Sequence, residues 1–137
     1  MHVTTSFDWQ DVGAVTRDMS GRLAFPRVLD APGIYRFLIA TPSGIDVYIG
    51  ESTSIRRRMQ SNYRAAHTGT TNVRNRAMLL EHIGAGRDVH MAVIYEARIS
   101  IGEQSVTADM TLKRTRLLVE HAALAEAVHI GHQPSNL

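Results

Sequence analysis

Residues 33–63 read GIYRFLIATPSGIDVYIGESTSIRRRMQSNY. Two short runs within this stretch, residues 34–40 and 45–49, are rich in β-branched and aromatic side chains, and the turn-forming residues TPSG (41–44) separate them. This composition predicts a β-hairpin. Ser52 and Ser54 follow as N-cap candidates, so we expect a helix over residues 52–66 that carries Ile55, Met59 and either Asn62 or Tyr63 on one face.

The remaining chain predicts three more main elements. A helix is expected over residues 73–83 with Val73, Ala77 and Leu80 facing inward, a strand over 89–97, and a helix over 108–128. Residues 98–106 fit either an extension of that strand or a loose hairpin. The order ββααβα predicts an α+β fold in which helices flank a three-stranded antiparallel sheet. Residues 1–29 are weakly patterned and are expected to form a packing arm on a domain of residues 30–137.

The composition is that of one globular domain. The chain has 137 residues, 44% hydrophobic and 20% charged side chains, and no cysteine, which excludes disulfides and cysteine zinc sites. Its start lacks the features of a signal peptide, and no segment has the roughly 20 apolar residues of a membrane span. We therefore expect a soluble, cytoplasmic protein without a membrane partner.

The distribution of charge points to nucleic acid. The net charge is only +2, but no acidic residue lies between Glu51 and Glu81. Arginines occupy positions 56, 57, 58, 64, 74 and 76 in that window, and arginine matches phosphate oxygens bidentately. Although such a cluster can be an ordinary solvated helix face, its position beside the hairpin favours phosphate binding by Arg56, Arg57, Arg64, Arg74 and Arg76.

The hairpin stretch resembles the GIY-YIG nuclease family. Both naming tripeptides are present, as Gly33-Ile34-Tyr35 and Tyr48-Ile49-Gly50, and Arg58 stands where the family has its catalytic arginine. Downstream, Glu120 and Asn136 are similar to the family's metal-binding glutamate and closing asparagine. The resemblance extends over about residues 30–137, and the ordered set of five features is more specific than the tripeptides alone.

This resemblance implies a Mg²⁺-dependent (or Mn²⁺-dependent) endonuclease that leaves 5′-phosphate and 3′-hydroxyl ends on DNA. Tyr35 would act as the base with support from Tyr48, in an order left open. Arg58 would neutralise phosphate charge, Glu120 would bind the metal, and Asn136 would hydrogen-bond near the site. A single carboxylate with waters and a phosphate oxygen is a usual way to hold magnesium.

Several points stay open at this stage. The family often has His or Tyr four residues after its arginine, and here that position is Asn62. Tyr63 and His67 are the candidates for this auxiliary group. A binding module that does not cleave, and a nuclease that prefers single-stranded DNA or RNA, are the alternative functions, and the oligomeric state is unknown.

Overall fold

The predicted hairpin is the centre of the fold. The structure is a computed structural model that describes residues 1–64 and 70–135. Two long strands pair antiparallel over their whole length, with Tyr35 opposite Gly50 and Phe37 opposite Tyr48. The hairpin prediction is therefore confirmed.

The helices and strands are as follows. The strands are β1 (Val3–Phe7), β2 (Gln10–Ala14), β3 (Thr16–Arg17), β4 (Leu23–Ala24), β5 (Gly33–Thr41), β6 (Gly44–Ser52), β7 (Val89–Ile94), β8 (Ala97–Ile101), β9 (Gln104–Thr107) and β10 (Gln133–Pro134). The helical elements are α1 (Ile55–Arg57), a π-helical turn (Arg58–Tyr63), α2 (Thr70–Gly84) and α3 (Lys113–His129). No helix in the described ranges has the length and apolar character needed to cross a membrane.

The central sheet is larger than predicted. Within the described ranges, it has five strands in the order β10-β6-β5-β7-β2, so the prediction of a three-stranded sheet is wrong, although the α+β class is confirmed. The sequence did not predict the strand β2, because its pairing with β7 shifts register between Asp11 and Gly13 and this shift breaks the alternation of side chains. The strand β10 has only two residues and pairs parallel to β6 at Asp46 and Val47.

The first 29 residues contribute both a strand of the central sheet, β2, and side chains of its core. Val15, Leu23 and Val28 are buried in the main core. The arm also contains strands that the sequence did not predict, since β1 pairs with β8 and β3 pairs with β4. The strands β8 and β9 confirm the hairpin expected near residues 98–106. The boundary between arm and domain stays a prediction.

The two faces of the central sheet bury different cores. On one face, Tyr35, Phe37 and Ile39 of β5 pack with the α1 segment, the π-helical turn and α2. On the other face, Ile34 of β5 packs with residues of β6 and α3. This alternation follows from the two-residue period of a strand.

Two helix predictions need correction. On α2, Asn75 and Leu79 are the buried residues, and Leu80 packs against the core as predicted. Val73 is 46% exposed and Ala77 is also exposed, so this part of the predicted inward face is wrong. The helix α3 begins at Lys113 rather than near residue 108, because the Asp109 carboxylate accepts a hydrogen bond from the Thr111 backbone N–H and makes a turn there.

Candidate active site

The hairpin brings two of the predicted tyrosines onto one face. Because Phe37 is opposite Tyr48 and lies two residues from Tyr35, the two tyrosine rings are neighbours, with centroids 6.3 Å apart. The Tyr35 ring crosses directly over Gly50. A Cβ atom at position 50 would lie 2.5 Å from the Tyr35 hydroxyl oxygen, so the orientation of Tyr35 requires glycine there.

The helical segment after the hairpin supplies an arginine and a third tyrosine. Ser54 caps it by accepting a hydrogen bond from the Arg57 N–H at 3.1 Å, and its own hydroxyl donates to the Asp30 carboxylate. The next turn is π-helical, with the Arg64 N–H bonded to the Met59 carbonyl at 3.0 Å. In an α-helix, residues five apart point about 140° away from each other. A π-helical turn instead brings them close to one side, which aligns Tyr63 with Arg58.

Tyr63 contacts the hairpin directly. Its hydroxyl oxygen lies 2.5 Å from that of Tyr35, and the two rings meet edge to face with centroids 5.9 Å apart. The Asn75 side-chain amide of α2 donates a hydrogen bond to the Tyr63 hydroxyl at 3.2 Å. Tyr63, five residues after Arg58, therefore adds a third hydroxyl to this cluster by way of the π-helical turn. His67, the other candidate, lies outside the described residues.

Burial controls the acidity of the two tyrosines. It raises the pKa of Tyr35 well above its usual value, and the neighbouring Tyr63 and Tyr48 raise that pKa further, while Arg58 opposes the rise. Burial also raises the pKa of Tyr63, but hydrogen bonds with Tyr35 and Asn75 work in the opposite direction. Tyr48 is only partly buried.

Arg58 provides the positive charge of the cluster. Partial burial lowers the pKa of this guanidinium, but its interactions with Tyr35 and Tyr63 outweigh burial, and the net shift is upward. Within the part of the chain that the structure describes, Arg58 forms no ion pair with a carboxylate. The groups nearest to its charge are therefore the neutral hydroxyls of Tyr35 and Tyr63.

Glu120 lies across the sheet from the tyrosines, on the partly exposed side of α3. Burial raises the pKa of Glu120, and the negative charge of Glu51 raises it further, against the smaller opposing effect of His121. Glu51 follows Gly50 in β6 and faces α3, where its carboxylate accepts a hydrogen bond from Arg116 Nε at 2.7 Å. Glu120 and Tyr35 are therefore brought to the same end of β6 from opposite faces.

This end of β6 is open. The strand β10 pairs with β6 only at Asp46 and Val47, and no other described strand lies beside Gly50 and Glu51 on that edge. Tyr35 and Arg58 approach the edge from one face, and Glu120 approaches it from the other. Asn136, which was predicted to complete the group, lies outside the described residues.

Glu120 is the candidate ligand for a divalent cation. The described residues contain no cluster of three or more His, Asp or Glu side chains that would enclose a metal. Two neighbouring carboxylates, Glu120 and Glu51, repel each other at this position, and a cation would relieve that repulsion. Carboxylate oxygens are also the donors that magnesium prefers, so the residues present fit a magnesium ion that keeps most of its waters.

The arginines predicted to bind phosphate differ in their contacts. Arg56 Nε donates to the Val28 carbonyl, and Arg57 donates to the Thr53 hydroxyl, while both side chains stay exposed. Arg64 is more firmly held, because it forms an ion pair with Asp18 at 2.7 Å and donates to the Leu23 carbonyl.

The two arginines of α2 are placed differently from those three. Arg74 is exposed to solvent. Arg76 is partly buried, and its Nε atom is buried without a hydrogen-bond partner in the described ranges. Arg74 is therefore the freer of the two to contact a phosphate.

Sequence reasoning missed two contributors to this site. Asn75 was overlooked because the apolar pattern of α2 favoured a different inward face. The Glu51–Arg116 pair joins residues 65 positions apart, and no local spacing indicates such a contact. A polar residue inside an otherwise apolar helix face, opposite a known tyrosine, was the one signal available for Asn75.

The fold is of a known class, a mixed α+β arrangement of a central hairpin sheet with helices on both faces. It is similar to the structure of bacteriophage T4 EndoII in a mutant with alanine in place of a glutamate, with a TM-score of 0.56 and 16% sequence identity. The match covers 83% of this chain and 86% of that chain. No model of a protein family and no curated protein sequence matches the chain.

Proposed function

We propose that this chain is a metal-dependent endonuclease that hydrolyses phosphodiester bonds of DNA and leaves 5′-phosphate and 3′-hydroxyl ends. The observation that carries the proposal is the position of the Arg58 charge, which lies against the hydroxyls of Tyr35 and Tyr63 and next to the open edge of β6 at Gly50. The fold likeness to EndoII, whose name denotes an endonuclease, supports the same class of reaction.

Arg58 would neutralise the charge that builds on the phosphate oxygens. A guanidinium held in place before the reaction stabilises that charge without reorganising, which is the largest single contribution in many such sites. The partly buried position of Arg58 strengthens the effect, because fewer waters screen it.

Tyr35 would take the proton of the attacking water. A free phenol has a pKa near 10 and is a weak base at neutral pH. Burial raises the pKa of Tyr35 and makes its phenolate rarer still, but the Arg58 charge opposes that rise. Tyr48, which is partly exposed, would orient the water from the neighbouring strand.

Glu120 would hold the Mg²⁺ ion, with waters and a phosphate oxygen as its other ligands. When bound, the ion supplies charge neutralisation at the phosphate and the leaving oxygen. Arg74, Arg56 and Arg57 would contact neighbouring phosphates and hold the strand on this face.

One observation favours a second function. Tyr35 and Tyr63 are 1% and 0% exposed, so neither reaches solvent in this conformation. A module that binds nucleic acid through its arginines without cleaving it is consistent with such burial.

A nicking assay separates the two functions. Supercoiled plasmid, linear duplex, single-stranded DNA and RNA are incubated with the protein in Mg²⁺, in Mn²⁺ and in EDTA, beside the Arg58→Ala variant. Cleavage that needs the metal and Arg58, and nicks that DNA ligase reseals, are the expected results. Binding of the same substrates without any cleavage in either metal would establish the second function instead.

A further inference from the structure

Asn75 is a buried polar residue that the proposed hydrolysis leaves without a role. Only 5% of its surface is exposed, and it is one of few polar side chains buried in the described ranges. Its amide nitrogen lies 3.2 Å from the Tyr63 hydroxyl oxygen. A buried amide is kept where its hydrogen bonds are satisfied, so this contact fixes the rotation of α2 about its axis.

Tyr63 is held by groups from two segments. The Asn75 amide nitrogen of α2 donates to the Tyr63 oxygen, and the Arg58 guanidinium bonds to the hydroxyls of both Tyr63 and Tyr35. The two hydroxyl oxygens lie 2.5 Å apart. Asn75 therefore anchors the Tyr63 hydroxyl against Tyr35 from the side of α2.

We propose that Asn75 is a positioning residue for the hydrolysis: its amide donates to the Tyr63 hydroxyl and holds that hydroxyl beside Tyr35. The inference rests on the proposed function. Without this hydrogen bond, the Tyr63 hydroxyl is no longer held beside Tyr35, and the pair of hydroxyls that Arg58 contacts is disturbed.

The charged and titratable groups that face the tyrosine pair are few. Tyr48 faces it from β6, and Arg58 faces it from the π-helical turn. Asn75 is the contribution of α2 and is neutral. Because Tyr35 and Tyr63 are so close, they lose their first proton as a pair, and a donor to either oxygen helps that loss.

The first experiment needs no cleavage. Carbon NMR of the ring carbon that bears the hydroxyl reports the hydrogen bonding and ionisation of the four tyrosines, each assigned by a Tyr→Phe variant. In Asn75→Ala and Asn75→Asp we expect the Tyr63 and Tyr35 signals to move, because the donor to the Tyr63 hydroxyl is gone. Asn72→Asp, on the same helix but partly exposed, is the matched control and should leave them in place. Unchanged Tyr63 and Tyr35 signals in both Asn75 variants would overturn the inference.

The second experiment separates positioning from folding. In single-turnover cleavage at saturating DNA, Asn75→Ala should lower the rate about tenfold and Asn75→Asp more, with the apparent KM unchanged. In a Tyr63→Phe background, both Asn75 substitutions should have no further effect on the rate, because the hydroxyl through which they act is gone. Equal rate losses in both backgrounds would show that Asn75 only supports the fold.

The two experiments distinguish a wrong proposed function from a wrong role for Asn75. A native protein that cleaves no substrate contradicts the proposed function, whereas the NMR measurement still decides whether Asn75 orders the tyrosine pair. Cleavage by the native chain, together with a rate loss in Asn75→Asp that persists in the Tyr63→Phe background, contradicts the role of Asn75 alone.

Discussion

Each face of the central sheet holds one arginine of interest, and different groups surround the two guanidinium charges. On the α3 face, Arg116 is 3% exposed and bonds to the Glu51 carboxylate and to the carbonyls of Met110 and Thr111. On the other face, Arg58 is partly buried and lies against two phenols, without a carboxylate among its interacting groups. The charge of Arg116 is thus paired within the protein, whereas the described residues give Arg58 no carboxylate partner.

This difference teaches how structural and functional arginines can be separated in one fold. A buried cation paired with a carboxylate holds elements of the fold together. A cation that faces neutral hydroxyls receives no counter-charge from them. We infer from this second pattern that a bound anion supplies the counter-charge, and that is the physical reason for assigning the phosphate to Arg58.

The largest expected effect is the loss of cleavage in Glu120→Ala. If Glu120 holds the metal, its removal should abolish metal-dependent cleavage and leave DNA binding nearly unchanged, because the phosphate contacts lie on the other face. Glu126→Ala is the control on the same helix, since Glu126 bonds to Trp9 away from β6. Cleavage by Glu120→Ala at the native rate would place the metal elsewhere.

The next effect concerns Arg58 itself. Arg58→Ala should lower the single-turnover rate on the order of 10²–10³-fold, with a much smaller change in affinity. Arg57→Ala is the matched control, because this neighbouring arginine is exposed and should change affinity but not the rate at saturating DNA. A change of affinity alone in Arg58→Ala would make Arg58 a binding residue.

Arg116 should show the opposite behaviour. Arg116→Ala leaves Glu51 without its partner and removes the bonds to two carbonyls, so the free energy of unfolding should fall by about 3 kcal/mol. Arg58→Ala should cost far less stability, since it leaves no carboxylate of the described residues without its partner. Urea denaturation of both variants measures the contrast, and equal losses of stability would remove the distinction between the two arginines.

The sequence predicted the parts of this fold that depend on local patterns. The hairpin, the α+β class and the helix carrying Ile55, Met59 and Tyr63 follow from periodicity and turn residues, and the structure contains them. The five-stranded sheet did not follow, because β2 has a bulge at Gly13 and β10 has two residues, and neither carries a readable alternation.

The candidate site was predictable in its residues but not in its contacts. Tyr35, Tyr48 and Arg58 could be selected because they sit in or near the tripeptide motifs. The approach of Tyr63 to Tyr35 depends on a π-helical turn, and the contact of Asn75 depends on how α2 is rotated against the sheet. Both are set by tertiary packing between segments distant in sequence, which propensity does not encode.

The smallest expected effects distinguish two arginines that the sequence treated alike. Arg74 is exposed on α2, whereas Arg64 is held by Asp18 and the Leu23 carbonyl. Hydrogen bonds from Ser20 and Arg64 keep the pKa of Asp18 well below its usual range, so the carboxylate stays charged and Arg64 stays paired. Arg74→Gln should therefore weaken DNA binding about equally for all sequences and reduce the salt slope by roughly one unit.

Arg64→Gln should leave that slope unchanged and instead loosen the β3–β4 hairpin, seen as faster amide exchange there. The measurement is DNA affinity over a series of salt concentrations for both variants. An equal fall of the salt slope in Arg64→Gln would show that DNA competes with Asp18 for this guanidinium. The distinction between arginines paired with a carboxylate and arginines without one would then hold only for Arg116 and Arg58.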